Sequence, residues 1–177
     1  MQVDHRQYRP LVEEEGSRFD ERGTNEFANP RSRSVMILTT VCREASWQFT
    51  RSLLATVIAF EQLDIRSGVK QVVGNANLAR ARNELVAAFL ASGAGDALFI
   101  DADMEWQPSD VLRLLSSAQP FIGAPCRRRI EMPENDPRGW CVQRLPEGVD
   151  KLNQDAAGAI QVGGVGTGFV RVQRRVF

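Results

Sequence analysis

The chain has 177 residues, 43% hydrophobic and 25% charged, with 22 basic residues against 22 acidic ones and a formal net charge of zero. Such a length and composition suit one ordinary globular domain, and the balanced charge excludes a global basic field for nucleic acid or an anionic membrane. No run approaches the roughly 18 apolar residues of a membrane span, and no apolar core follows Asp4, His5 and Arg6, so neither a transmembrane segment nor a signal peptide is expected.

The three cysteines, Cys42, Cys126 and Cys141, form no CxxC pair and are odd in number. Free thiols in a reducing, cytoplasmic setting are the expectation. The sole histidine, His5, lies in a polar leader, which excludes a histidine-based triad in the folded region. Basic character is almost all arginine, the only lysines being Lys70 and Lys151.

Residues 1–33 are polar, carry Glu13-Glu14-Glu15, and read as a mostly disordered leader. Val35–Val41 is a short β-rich run suited to a buried strand. Residues 46–62 carry a helical pattern behind Ser46 as N-cap, with Trp47, Leu54 and Ile58 on one face. A second strand is expected at Val69–Val73, then a turn at Gly74–Asn77. Asn77 caps a helix running to about Ser92, which Gly93-Ala94-Gly95 ends. The apolar run Ala97–Ile100 is the third strand, and it leads into Asp101-Ala102-Asp103-Met104-Glu105-Trp106. Pro108-Ser109-Asp110 opens a short helix to about Ser117, with proline and an acid in its first turn. Phe121–Pro125 is a fourth strand, residues 127–158 read as a long loop, and a last strand is expected over Ile160–Val162 and Phe169–Val172. This alternation predicts an α/β fold with a mostly parallel sheet, whose ligands sit outside the C-terminal strand ends.

Asp101 and Asp103 stand at such an end. Two apart on a strand, their carboxylates would leave the same face and repel one another unless a cation lies between them. A hard divalent ion, Mg²⁺ or Mn²⁺, completed by phosphate oxygens and water, suits such a pair; a solvated acidic turn, or a cap for the helix at Pro108, is the plainer alternative. On the helix from residue 78, Leu78, Arg82, Leu85 and Phe89 share a face, which places Arg82 on an apolar stripe near the helix N-terminus. Arg82 then binds diphosphate, pairs with Asp101 or Asp103, or snorkels to the rim. Arg80 faces the opposite way, and Asn83 is placed to bond backbone near the site. Arg127-Arg128-Arg129 is a solvated loop or a clamp on phosphates. The glycines of Gly163-Gly164-Val165-Gly166-Thr167-Gly168 fit neither GxGxxG nor a P-loop and imply close backbone approach or a bulge.

A first strand ending in Thr39-Thr40, then Asn77-Leu78-Ala79-Arg80-Ala81-Arg82-Asn83, Phe99-Ile100-Asp101-Ala102-Asp103-Met104 and Gly166-Thr167-Gly168-Phe169, in that order, resembles nucleotide-sugar glycosyltransferases of the GT-A fold, family 2 type. The resemblance spans roughly residues 34–177. It implies a three-layer α/β domain in which Asp101 and Asp103 of a DxD motif hold manganese or magnesium and the donor, and Arg82 contacts the diphosphate. It further implies that Thr39, Thr40 and Val41 line the nucleotide pocket and that Gly166, Thr167 and Gly168 lie beside the donor sugar or acceptor. The family's acceptor-activating carboxylate lies beyond the glycine strand, so the chain to Phe177 corresponds to the donor-binding half, and no catalytic base is assigned to Glu134 or Asp136. The rival readings are a nucleotide-binding remnant or interaction module, a nucleotidyltransferase, and a HAD-type phosphohydrolase, which also follows an apolar strand with Asp-x-Asp.

Overall fold

A computed structural model describes residues 33–127, 133, 139–143 and 158–177. The expectations for residues 1–32, for Arg128 and Arg129, and for Glu134 and Asp136 lie outside the described residues. The elements in chain order are β1 (Ser34–Val41), α1 (Trp47–Gln62), β2 (Arg66–Val73), α2 (Leu78–Ser92), β3 (Asp96–Ile100), α3 (Pro108–Ser116), β4 (Phe121–Gly123), β5 (Val142–Gln143), β6 (Gly164–Val165) and β7 (Phe169–Gln173), followed by a short 3-10 turn (Arg174–Val176).

Local chemistry sets the helix ends. The Ser46 side chain accepts from Phe49 N, the Asn77 side chain accepts from Arg80 N, and Gly93 ends α2 in the left-handed region at φ 75°. Pro108 opens α3, where the Asp110 carboxylate takes the Gln107 backbone N–H.

Five strands form one mixed sheet in the order β2-β1-β3-β7-β4. The β1–β2 and β1–β3 pairs are parallel, while β7 runs antiparallel to both β3 and β4. Two of the four pairings are therefore antiparallel, which corrects the mostly parallel sheet expected from the alternation. The physical reason is connectivity: parallel neighbours need a crossover, usually a helix, and no helical pattern separates β4 from β7. Ile160–Val162 is also not part of this last strand; Gly164–Val165 pairs instead with Val142–Gln143 in a separate two-stranded ladder.

Alternation along β1 sends Val35 and Ile37 to one face and Leu38 to the other. On the first face α1 and α3 contribute Phe49, Phe60, Val111, Leu114 and Leu115; on the second, α2 contributes Ala81, Leu85 and Phe89. The result is three layers, helix–sheet–helix. No helix among the described residues is long and apolar enough to cross a membrane.

The face of α1 differs from the sequence expectation. Trp47, Leu54 and Ile58 do share a face, but they are 64%, 62% and 50% exposed, and Phe49, Ser52, Thr56, Ala59 and Phe60 are buried instead. Two hydroxyls turn inward because Trp106 requires acceptors. Its backbone N–H donates to Ser52 Oγ at 3.1 Å and its indole Nε1 to Thr56 Oγ1 at 2.8 Å.

Strand β7 and its turn also join the layers. Arg171, fully buried, donates to the carbonyls of Leu114, Ser117 and Gln119 at the C-terminal end of α3. On the opposite face Arg174 donates to the carbonyls of Phe89, Leu90 and Ala94 at the end of α2. Each cation sits where a helix leaves its last carbonyls unpaired and its dipole is negative.

Candidate functional site

Asp101 follows the last residue of β3, and its backbone N–H donates to Gly168 O at 2.9 Å, extending the β3–β7 ladder by one bond. The chain then turns, with Met104 N donating to Asp101 O at 3.1 Å. Asp101 and Asp103 thus stand in a turn and not in a strand, so strand alternation does not orient them. They are nonetheless near neighbours electrostatically. Burial, followed by the Asp103 charge, holds the Asp101 carboxyl above its ordinary range, against the opposing pull of Arg82.

Helix α1 fixes this turn from one side. Ser46 N donates to Ala102 O at 2.9 Å, Arg51 pairs with Glu105, and Trp106 is bonded to Ser52 and Thr56. The Trp106 ring lies 5.4 Å from Phe49 and 5.9 Å from Phe169. The aspartates are therefore carried on a supported turn between α1 and β7.

Helix α2 supplies the cation from the other side. Its packed stripe is Ala81, Leu85 and Phe89; Leu78 is half exposed and lies outside it, which corrects the stripe inferred from spacing. Arg82 lies at the edge of the stripe, half-buried, and reaches the site. Nη1 donates to Thr167 Oγ1 at 2.6 Å, and Nη2 meets Asp101 Oδ1 at 3.4 Å. Arg80 is exposed, as expected, and so is Asn83, for which no bond to the site occurs among the described residues.

The glycine turn closes the third side, and its glycines answer to packing. A Cβ on Gly168 would stand 3.0 Å from Asp101 Oδ2, and one on Gly166 would stand 2.8 Å from Cys141 Cβ. Gly166 N also donates to Cys141 O at 2.7 Å. Without side chains at these positions the turn lies against both neighbours, and Thr167 between them is left exposed to meet Arg82.

Thr39, Thr40 and Val41 end β1. Continuing the Leu38–Phe99 register places Thr40 level with Asp101. Thr39 and Val41 are buried and Thr40 is half-buried; Thr39 Oγ1 has no hydrogen-bond partner among the described residues. Of the expected site residues, the structure brings together Arg82, Asp101, Gly166, Thr167 and Gly168, with Asp103 in the same turn and Thr40 at its level. Arg127 is exposed and bridges to Trp140.

Sequence reasoning did not place Cys126 and Cys141 here. Burial pushes the Cys126 thiol up to about 11, and Cys141, Asp101 and Asp103 push in the same direction. Their only advance signal was position: Cys126 follows the fourth strand, and strands of one sheet share an end.

Among the described residues no group of three or more His, Cys, Asp or Glu side chains forms a metal cage. The two aspartates offer only hard oxygen donors, which fits a Mg²⁺- or Mn²⁺-like ion that takes one or two carboxylates and completes its shell from phosphate and water. No protein-family model matches the chain, and no curated protein matches it.

Proposed function

We propose that the protein binds a nucleoside-diphosphate sugar at Asp101, Asp103 and Arg82 with the help of Mn²⁺ or Mg²⁺, as a GT-A-type glycosyltransferase acting on an unidentified acceptor. The observation that carries this reading is the meeting of Arg82 with Asp101 and Thr167 at the C-terminal end of β3. An arginine beside paired carboxylates provides both elements a metal diphosphate needs: oxygen ligands for the ion and a planar cation for the phosphate oxygens. The ion, when bound, would stabilise charge on a leaving diphosphate. Asp101 and Asp103 would hold it, Arg82 would turn from Asp101 and Thr167 to the phosphates, and Thr39, Thr40 and Val41 would border the nucleoside. The half-buried setting that raises the Asp101 carboxyl supports the same reading, since a cation relieves the repulsion from Asp103. The three free thiols suit a cytoplasmic location.

Titration calorimetry with UDP and GDP, with and without Mn²⁺, tests the proposal. Metal-dependent binding is expected, abolished in Asp103→Ala and weakened about tenfold or more in Arg82→Ala, the scale of a charge-assisted hydrogen bond. Absence of binding to any nucleoside diphosphate overturns it. Asn83→Ala is expected to bind as the wild type does.

A further inference from the structure

We propose that Cys126 and Cys141 form a redox-sensitive dithiol that closes to a disulfide at the rim of the Asp101 site. The backbone supplies the geometry. Arg127 and Trp140 are antiparallel bridge partners, so the adjacent residues Cys126 and Cys141 stand directly opposite, and Cys141 N donates to Cys126 O at 2.8 Å. Opposed residues of a hydrogen-bonded antiparallel pair have Cα atoms about 5.5 Å apart and side chains on the same face. That separation falls within the range of about 4.4–6.8 Å that a disulfide spans without backbone movement.

The side chains share surroundings as well. A Cβ on Gly166 would lie 3.8 Å from Cys141 Sγ, and one on Gly168 would lie 3.9 Å from Cys126 Sγ. Both sulfurs therefore pack against the same glycine turn. Both cysteines are free and half-buried, whereas Cys42 is exposed after β1.

The oxidant is a low-molecular-weight disulfide such as glutathione disulfide. The Cys141 thiolate attacks one of its sulfurs, forming a mixed disulfide and releasing one glutathione thiolate. The Cys126 thiol then loses its proton and attacks the protein-bound sulfur, forming the Cys126–Cys141 bond and expelling the second glutathione. Two protein thiols give up two electrons and two protons, and the glutathione disulfide leaves as two thiols. The bond ties the Arg127–Trp140 bridge beneath the turn that holds Thr167 against Arg82, so the redox state bears on how firmly that turn is held.

The test needs no nucleotide, so its outcome is independent of the donor-site reading. The folded protein is equilibrated in glutathione buffers of increasing disulfide content, and free thiols are counted under denaturing quench. The count is expected to fall from three to one, as two of the three cysteines pair, with the intact mass lower by two hydrogens and a peptide map joining Cys126 to Cys141. In the reduced protein a trivalent phenylarsenical is expected to consume the same two thiols. Cys141→Ser is expected to keep both remaining thiols, Cys126→Ser to stop at the mixed disulfide of Cys141 with glutathione, and both to lose the arsenical adduct. Retention of three thiols in the wild type at high glutathione disulfide, a bridge to Cys42, or a bond between two chains overturns the proposal.

Discussion

Asp96 and Arg171 make an ion pair, 3.6 Å apart and buried, whose two members bear unequal costs. Arg171 donates to three carbonyls besides facing Asp96, while Asp96 Oδ1 has no hydrogen bond among the described residues. Burial raises the Asp96 carboxyl from its ordinary value of 3.8, more than Arg171 and Arg33 lower it. Burial thus works against the charged form at this position. Arg171→Leu is expected to cost about 3–5 kcal/mol, because it strands a buried acid and the end of α3; denaturant unfolding measures it. Asp96→Asn keeps the side chain's size while removing the charge that burial disfavours, and is expected to be milder. A carboxyl with a raised folded pKa binds more protons folded than unfolded in the interval above 3.8, so its contribution is full below that value and lost as pH rises through the folded one. Thermal melts across the acid range should show the advantage of wild type over Asp96→Asn shrinking as pH rises through that interval and then staying level. An advantage that grows with pH contradicts this assignment.

At the scale of elements, helix α1 separates pattern from packing. Its exposed Trp47, Leu54 and Ile58 have the spacing of a core stripe, and Arg51 lies over the Trp47 ring at 4.8 Å. Its buried side includes two hydroxyls that serve Trp106. Leu54→Ala is therefore expected to change stability by no more than about 0.5 kcal/mol, whereas Phe60→Ala should cost about 3–5 kcal/mol; paired urea curves decide between the two faces. The glycine turn makes a comparable test at the site. Gly168→Ala places a methyl 3.0 Å from Asp101 Oδ2, and overpacking of that kind costs about 1–3 kcal/mol. It should also displace Asp101, so under the proposed donor-site reading a loss of Mn²⁺-dependent nucleotide binding larger than the loss of stability is the expected outcome. Helix ends, in contrast, were legible in advance. Ser46, Asn77, Gly93 and Pro108 act within a few residues, and the structure uses each as the local chemistry suggests.

Across the whole molecule the decisive element is β7. By entering antiparallel between β3 and β4 it separates two strands that point the same way and delivers the Gly166–Gly168 turn to Asp101. It also carries Arg171, and the turn behind it carries Arg174, so one C-terminal segment ties the ends of α3 and α2 on opposite faces of the sheet. Edge strand β2 leaves only Val72 buried and carries Arg66 and Lys70, charges that discourage pairing with another sheet. The sequence by itself determined the succession from β1 to β4, the helix ends, and the location of Asp101 and Asp103 at a strand end, because periodicity, capping and turn chemistry operate over a few residues; the β5–β6 ladder, with Val142–Gln143 inside the expected loop, it did not. Only the tertiary structure decided which face of α1 is buried, the direction of β7, the placing of Cys126 opposite Cys141, and the bond from Arg82 to Thr167, 85 residues away in sequence. Those outcomes depend on sheet order and on which buried donors must find acceptors, and both are properties of the assembled layers.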